Sequence, residues 1–257
     1  MTQVEADAYV RRVVTAHTPI VSYNTQGKIN ELSQHIFPWA NGHLYQVKLS
    51  GSIAKGTAIT GTSDIDLFIS LNPSVGTCNT LENVYTTLRN RFSLAGYNVR
   101  EQNVSIGIDH TGLKIDIVAG VQHNVLGGDH SVWKRKARTW TKTNIDAHIN
   151  HISSSGRVSD IKAVKIWRKL HGLDFPSFYL ELSVIEALRG KTILFTSPSQ
   201  NFAEVMSYLA NDFVGKTIYD PANSANEVSD ELTIAEKEAI RAAAQTTIHG
   251  DWSQAIW

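Results

Sequence analysis

Residues 50–70, SGSIAKGTAITGTSDIDLFIS, combine a glycine-serine turn with two aspartates in an otherwise apolar segment. Successive side chains of a β-strand point to opposite faces, so Asp64 and Asp66 are predicted to share one face of a strand. Aspartate is depleted from strand interiors, and like charges side by side repel. A divalent cation held by both carboxylates would remove that repulsion, so the pair predicts a metal site.

A third carboxylate, Asp116, lies in the segment KIDIV between Ile115 and Ile117, again a charge inside an apolar strand. If the two strands are neighbours, the three carboxylates converge and can hold two Mg²⁺ ions, or Mn²⁺ in their place. The alternative is that Asp64 caps a turn, Asp66 is a solvated edge charge and Asp116 is incidental, because short motifs often match by chance.

The pair Gly51-Ser52 follows an alternating segment at residues 44–50 that is predicted to be a strand. A turn at this point presents unpaired backbone N–H groups, which bind phosphate well. Gly51 allows a close backbone approach, and the Ser52 hydroxyl can donate a hydrogen bond. By itself the pair could be an ordinary turn, but a phosphate-binding turn beside metal ligands is the arrangement that phosphoryl transfer requires.

The combined motif GSIAKGT…SDIDLF resembles the signature of the DNA polymerase β-like nucleotidyltransferase superfamily. That resemblance implies a metal-dependent enzyme in which Asp64, Asp66 and Asp116 are both catalytic and metal-binding, and Gly51 and Ser52 bind the nucleotide. Its substrates are expected to be nucleoside triphosphates such as ATP.

A second resemblance lies in residues 162–188, KAVKIWRKLHGLDFPSFYLELSVIEAL. This segment is similar to one shared by archaeal CCA-adding enzymes, oligoadenylate synthetases and the bacterial cGAS/DncV-like nucleotidyltransferases (CD-NTases). The resemblance implies that Lys165 and Ser177 reach the triphosphate. Arg168 is a candidate for the same phosphates, although both cations could instead be solvated helix charges. Tyr179 could stack on a base, but a place in the core is favoured.

The remaining pattern predicts an α+β fold with two lobes. Residues 1–140 are predicted to form the nucleotidyltransferase core, with a mixed sheet and helices. Residues 141–257 are predicted to form a helical lobe that closes over the nucleotide. Helices are predicted at 4–17, at 25–39 with Pro38 ending the helix, at 80–95, and in five later segments. Those five segments are 144–155, 157–171, 177–189, 199–210 and 233–247.

The charge balance limits the partners. Lys plus Arg and Asp plus Glu both number 24, so the chain has no general field for nucleic acid. The densest basic run, Lys134 to Arg138, is predicted to be a solvated linker rather than an RNA contact. Cys78 is the only cysteine, which excludes an internal disulfide. No apolar run approaches the roughly 20 residues of a membrane span, so a soluble, cytoplasmic protein is expected. The sequence does not predict its oligomeric state.

The resemblance to the CD-NTases implies synthesis of a cyclic or short oligonucleotide messenger in anti-phage defence. Three alternatives remain open. The first is an enzyme that adds nucleotides to tRNA 3′ ends or otherwise nucleotidylates RNA, and the second is a small-molecule nucleotidyltransferase of the antibiotic-modifying type. The third is a catalytically silent nucleotide sensor, which three intact aspartates argue against.

Overall fold

The computed structural model describes residues 1–19, 23–61, 64–77, 79–192, 197–250 and 255–256. Cys78 and two residues of the motif, Thr62 and Ser63, lie outside this set. The described helices are α1 (Gln3–Ala16), α2 (Tyr23–Ala40), α3 (Gly51–Ala54), α4 (Leu81–Leu94), α5 (Ile145–Ser153), α6 (Val158–Leu170), α7 (Ser177–Ala187), α8 (Pro198–Asn211) and α9 (Ile234–His249). The described strands are β1 (Leu44–Leu49), β2 (Ile65–Leu71), β3 (Arg100–Glu101), β4 (Ile106–His110), β5 (Leu113–Gln122), β6 (His130–Lys134), β7 (Thr139–Thr143), β8 (Tyr219–Asp220) and β9 (Asn223–Glu227).

The chain divides into two compact units. The sheet unit comprises residues 20–54 and 63–149, and the helical unit comprises residues 1–19, 55–62 and 150–257. The helical unit thus includes α1 and the segment that directly follows α3. The division into a core at residues 1–140 and a helical lobe at residues 141–257 stays a prediction.

A mixed sheet organises the sheet unit. Its strands run in the order β1-β2-β5-β4-β3, and β6 pairs with both β5 and β7. The pairing of β2 with β5 is parallel, and the other pairings in this sheet are antiparallel. One face of the sheet packs against α2 and α4, where alternate strand residues and the apolar helix residues form one core. The alternation of apolar and polar residues in β2 and β5 therefore leaves their polar side chains on the opposite face.

Helix packing builds the helical unit. Its core includes the fully buried side chains of Trp167, Tyr179 and Phe202. Helices α1 and α9 begin with capping boxes, in which Thr2 pairs with Glu5 and Thr233 pairs with Glu236. Such caps satisfy backbone N–H groups that the first helical turn leaves unpaired. None of the helices in the described residues combines the length and apolarity that crossing a bilayer requires.

The predicted class, an α+β fold with a mixed sheet followed by helices, is confirmed. Three details differ. Helix α2 continues past Pro38 to Ala40. Proline lacks a backbone N–H donor, but the residues that follow it can still adopt helical backbone angles. Asp64 lies one residue before β2 rather than within it. The basic run predicted as a solvated linker, Lys134 to Arg138, spans the last residue of β6 and the exposed turn that joins β6 to β7.

We predict that Gly120→Ala destabilises the protein. A Cβ atom at Gly120 would lie 2.6 Å from the Phe68 ring and 3.2 Å from Val132 Cγ1, so the sheet face would be overpacked. Overpacking typically costs about 1–3 kcal/mol, which for a domain of this size lowers the melting temperature by several degrees. Thermal unfolding followed by circular dichroism measures the change.

Gly215→Ala is the matched control, since a Cβ at that position meets no described atom within 4 Å. It should leave the melting temperature close to that of the wild type. Equal melting temperatures for the two variants would contradict the packing argument.

Candidate active site

Asp66 and Asp116 lie side by side on the parallel strands β2 and β5. They are register partners, as are Ile65 with Ile115 and Leu67 with Ile117. These isoleucines and Leu67 are buried in the core beneath the sheet. Because side chains alternate along a strand, both aspartates point to the opposite face. The structure therefore places two carboxylates in one row of the sheet.

The glycine-serine turn lies directly against Asp66. The Ser50 amide donates to the Asp66 carbonyl at 2.8 Å, and α3 begins at the next residue. Gly51 has a φ of +58°, and a Cβ atom there would lie 1.8 Å from Asp66 Oδ2. Only glycine accommodates both that backbone angle and the approach of the carboxylate. Ser52 is half-buried in the first turn of α3.

Polar neighbours hold the Asp116 carboxylate. Gln102 Nε2 donates to Oδ1 at 2.9 Å and to Oδ2 at 3.0 Å, and the Ser105 hydroxyl donates to Gln102 Oε1 at 2.9 Å. The Arg100 guanidinium lies 4.0 Å from Oδ1. Burial raises the pKa of the Asp116 carboxyl, the bond from Gln102 opposes the rise, and the charge of Asp64 adds to it. Asp64 is therefore close enough to act on Asp116 electrostatically.

The donor set suits a hard divalent cation. Carboxylate oxygens are the ligands that Mg²⁺ prefers, and Asp66 and Asp116 present two carboxylates on one face of the sheet. Within the part of the chain that the structure describes, however, no group of three or more His, Cys, Asp or Glu side chains is arranged to enclose an ion. The row on β2 and β5 thus fits part of a metal site, and the role of Asp64 as a third ligand stays a prediction.

In the helical unit, Lys165 belongs to a buried charged network. Its ammonium lies 2.7 Å from Glu181 Oε1 and 3.0 Å from Thr57 Oγ1, and its side chain is 2% exposed. Lys55 Nζ lies 2.9 Å from Glu181 Oε2. The Thr57 hydroxyl donates to Oε1 at 2.6 Å. Burial alone would raise the pKa of Glu181, but the ammonium groups of Lys165 and Lys55 outweigh it and lower that pKa.

Arg168 and Ser177 are brought together at the start of α7. The guanidinium donates to the Phe175 carbonyl at 2.6 Å and to Ser177 Oγ at 3.0 Å, while Ser177 itself is exposed. Tyr179 is fully buried, with its ring 5.4 Å from Phe175 and 5.2 Å from Phe213. This placement favours the core role of Tyr179 over base stacking. The phosphate contacts of Lys165, Arg168 and Ser177 stay predictions.

The partners of Lys165 and Asp116 were not predicted from the sequence. Glu181 carried a signal, since it is a charge within the apolar helix segment SFYLELSVIEA, and a buried charge requires a partner. Gln102 and Ser105 carried none, because polar residues before a strand are ordinary in loops. The contact of Gln102 with Asp116 depends on the pairing of β4 with β5.

Comparison with protein families identifies the sheet unit. Residues 35–118 match the nucleotidyltransferase domain family, and this range includes the glycine-serine turn and all three aspartates. The matched residues therefore carry a nucleotidyltransferase domain, and the chain resembles the polymerase β-like nucleotidyltransferases. The match to this metal-dependent family implies a divalent metal.

Three known proteins show which members the chain resembles. It is 22% identical over 225 residues to the cyclic AMP-AMP-AMP synthase of Escherichia coli strain MS 115-1, covering 80% of this chain and 70% of that protein. The fold matches the CD-NTase CdnG of Bradyrhizobium diazoefficiens in complex with GTP, with a TM-score of 0.74, 12% identity and coverage of 95% and 90%. It also matches a poly(U) polymerase bound to MgATP, with a TM-score of 0.70, 13% identity and coverage of 96% and 94%.

We predict that Glu181→Gln lowers the free energy of unfolding by about 3–5 kcal/mol, because it leaves buried ammonium groups without their carboxylate. Urea unfolding measures this change. Glu204→Gln is the matched control, since Glu204 forms an exposed pair with Lys191 at 3.1 Å and should cost less than about 1 kcal/mol. Equal midpoints for Glu181→Gln and the wild type would show that the network does not support the fold.

Proposed function

We propose that this nucleotidyltransferase joins nucleoside triphosphates to one another and makes a cyclic or short oligonucleotide that signals in anti-phage defence. A 3′- or 2′-hydroxyl of one nucleotide attacks the α-phosphorus of another. The new O–P bond forms as the bond to the β-phosphate breaks, and pyrophosphate leaves. The hydroxyl loses its proton in this step.

The row of Asp66 and Asp116 carries the proposal. Two carboxylates in register on neighbouring strands repel each other, and a divalent cation held by both would offset that repulsion. Together with Asp64 they would hold two Mg²⁺ ions, which supply charge neutralisation of the triphosphate and activation of the attacking hydroxyl. The ion could also be Mn²⁺.

The glycine-serine turn would bind the triphosphate. Because Gly51 has no side chain, the Asp66 carboxylate packs directly against the turn, and a phosphate bound at the N–H groups of α3 would lie beside that carboxylate. The Ser52 hydroxyl is placed to donate to the same phosphates. The chain's own contribution is to hold the reacting groups in line, which supplies much of the acceleration in phosphoryl transfer.

The choice of acceptor rests on likeness to named relatives. The curated relative is a cyclic AMP-AMP-AMP synthase, and CdnG is a CD-NTase solved with GTP. Nucleotides as both donor and acceptor are the simplest extension to this chain. A second candidate, addition of nucleotides to an RNA 3′ end, is supported by the fold of the poly(U) polymerase. An antibiotic-type acceptor gains no support from a specific residue.

We predict strict dependence on Mg²⁺ or Mn²⁺ and on the aspartates. Asp64→Asn, Asp66→Asn and Asp116→Asn should each lower turnover on the order of 10³-fold or more, and a double variant should be little worse than a single one, because the residues act as a unit. Asp230→Asn, at an exposed position, is the control. An Asp66/Asp116 double variant that keeps near wild-type turnover would remove the proposed site.

We also predict that labelled nucleoside triphosphates and Mg²⁺ alone give pyrophosphate and a product that resists phosphatase. Resistance follows because a cyclic product has no terminal phosphate. Chromatography of the treated reaction measures it, with Asp66→Asn as the control protein. Label that enters only tRNA or a small-molecule acceptor, with blank triphosphate-only reactions, would move the enzyme to an alternative branch.

A further inference from the structure

The paired strands β6 and β7 and the turn between them carry a concentrated positive charge, and we call residues 130–143 the basic hairpin. It contains five cations, Lys134, Arg135, Lys136, Arg138 and Lys142, and no acidic residue lies between Asp129 and Asp146. Without these five, the chain has 19 Lys and Arg against 24 Asp and Glu. The cations thus offset the negative charge of the remaining chain from a single surface element.

The basic hairpin has a defined shape. Five residue pairs join its strands, from His130 with Thr143 to Lys134 with Thr139. Its tip is tied to a neighbouring segment, because the Arg135 amide donates to the Asn103 carbonyl at 2.7 Å and the Lys136 amide donates to Asn103 Oδ1 at 3.0 Å. The charges are therefore held on ordered backbone rather than on a solvated linker, which lowers the entropy lost when a ligand binds.

Arg138 occupies a backbone conformation that does not suit arginine. Its φ is +48°, in the left-handed region that glycine and asparagine adopt more easily. Its side chain is 78% exposed, with Glu82 at 3.5 Å across open surface, a pair of little energetic value. Local folding would favour glycine here, so the position retains a positive charge against the backbone preference. Strained backbone positions of this kind are common at ligand-binding sites.

An aromatic ring lies among these charges. Trp140 is 55% exposed and pairs across the strands with Trp133, which is half-buried against the core of the sheet unit. Trp133 thus supports one side of the pair while Trp140 remains open to solvent. Exposed tryptophan beside cations matches surfaces that bind single strands, where bases stack on the ring and phosphates meet Lys and Arg.

We propose that the basic hairpin binds single-stranded nucleic acid, with bases stacking on Trp140 and phosphates contacting Arg138 and its neighbouring cations. A duplex hides the faces of its bases, so it would use the charges and leave the ring unused. An acidic peptide would do the same. The proposal concerns the surface of the basic hairpin and does not depend on which product the enzyme makes.

The test measures binding without nucleoside triphosphate or metal. Fluorescein-labelled 20-nucleotide single strands, one of RNA and one of DNA, are titrated with the full chain, and anisotropy is followed between 50 and 200 mM NaCl. Three to five phosphate contacts give a slope of log K against log salt of about −2 to −3.5. Duplex DNA of the same sequence and poly-glutamate are the competitors.

The variants separate binding from folding. Arg138→Gly should weaken binding several-fold, reduce the steepness of the salt slope by about 0.7, and melt at the wild-type temperature or above, since glycine relieves the backbone. Trp140→Ala should weaken binding about 5- to 150-fold, and Trp140→Phe should restore part of it. Arg189→Ala is the control, because that side chain is also 78% exposed but lies in the helical unit.

Support requires tighter binding of a single strand than of either competitor, together with losses confined to the hairpin variants. Stronger binding of RNA or of DNA identifies the source of the strand and supports the proposal in either case. Absence of binding at 50 mM NaCl, preference for duplex or poly-glutamate, or equal salt slopes for Arg138→Gly and Arg189→Ala would overturn it. None of these outcomes bears on synthesis from nucleoside triphosphates, so the two proposals fail separately.

Discussion

The parallel, in-register pairing of β2 with β5 is the constraint on which the rest of the site depends. It buries isoleucine and leucine on one face and, by the same alternation, lifts Asp66 and Asp116 together on the other. A shift of one residue in either strand would move the carboxylate of that strand to the core face and its apolar residues to the other face. Hydrophobic burial therefore specifies the register, and the register places the carboxylates.

Much of this arrangement can be predicted from the sequence, because apolar residues recur in it at the spacing of strands and helices. The residues that flank Asp66 and Asp116 are apolar on both sides, and the later helices repeat apolar residues at helical spacing. The strands β6 and β7 on either side of the basic turn were not predicted, because polar and charged residues interrupt their apolar alternation. Contacts between distant residues, such as Gln102 with Asp116, require the tertiary fold and have no signature in local sequence.

In the buried network of the helical unit, Lys165 pairs with Glu181. The family resemblance of this segment did not predict that partner. Glu181 meets two ammonium groups and the Thr57 hydroxyl inside a helix core. Desolvating these charges is costly, and only dense mutual contact offsets it. Lys55 and Thr57 follow the glycine-serine helix α3 closely in the sequence.

Residue 102 supports two neighbours at once. Its side-chain amide donates to both oxygens of Asp116, while its backbone carbonyl accepts from Arg135 Nε at 3.2 Å and from the Tyr85 hydroxyl at 3.0 Å. The tip of the basic hairpin and the Asp116 carboxylate on β5 therefore contact the same residue, one through its backbone carbonyl and the other through its side-chain amide. Within the sheet unit, a displacement of Gln102 would therefore alter a contact of the hairpin and a contact of Asp116 together.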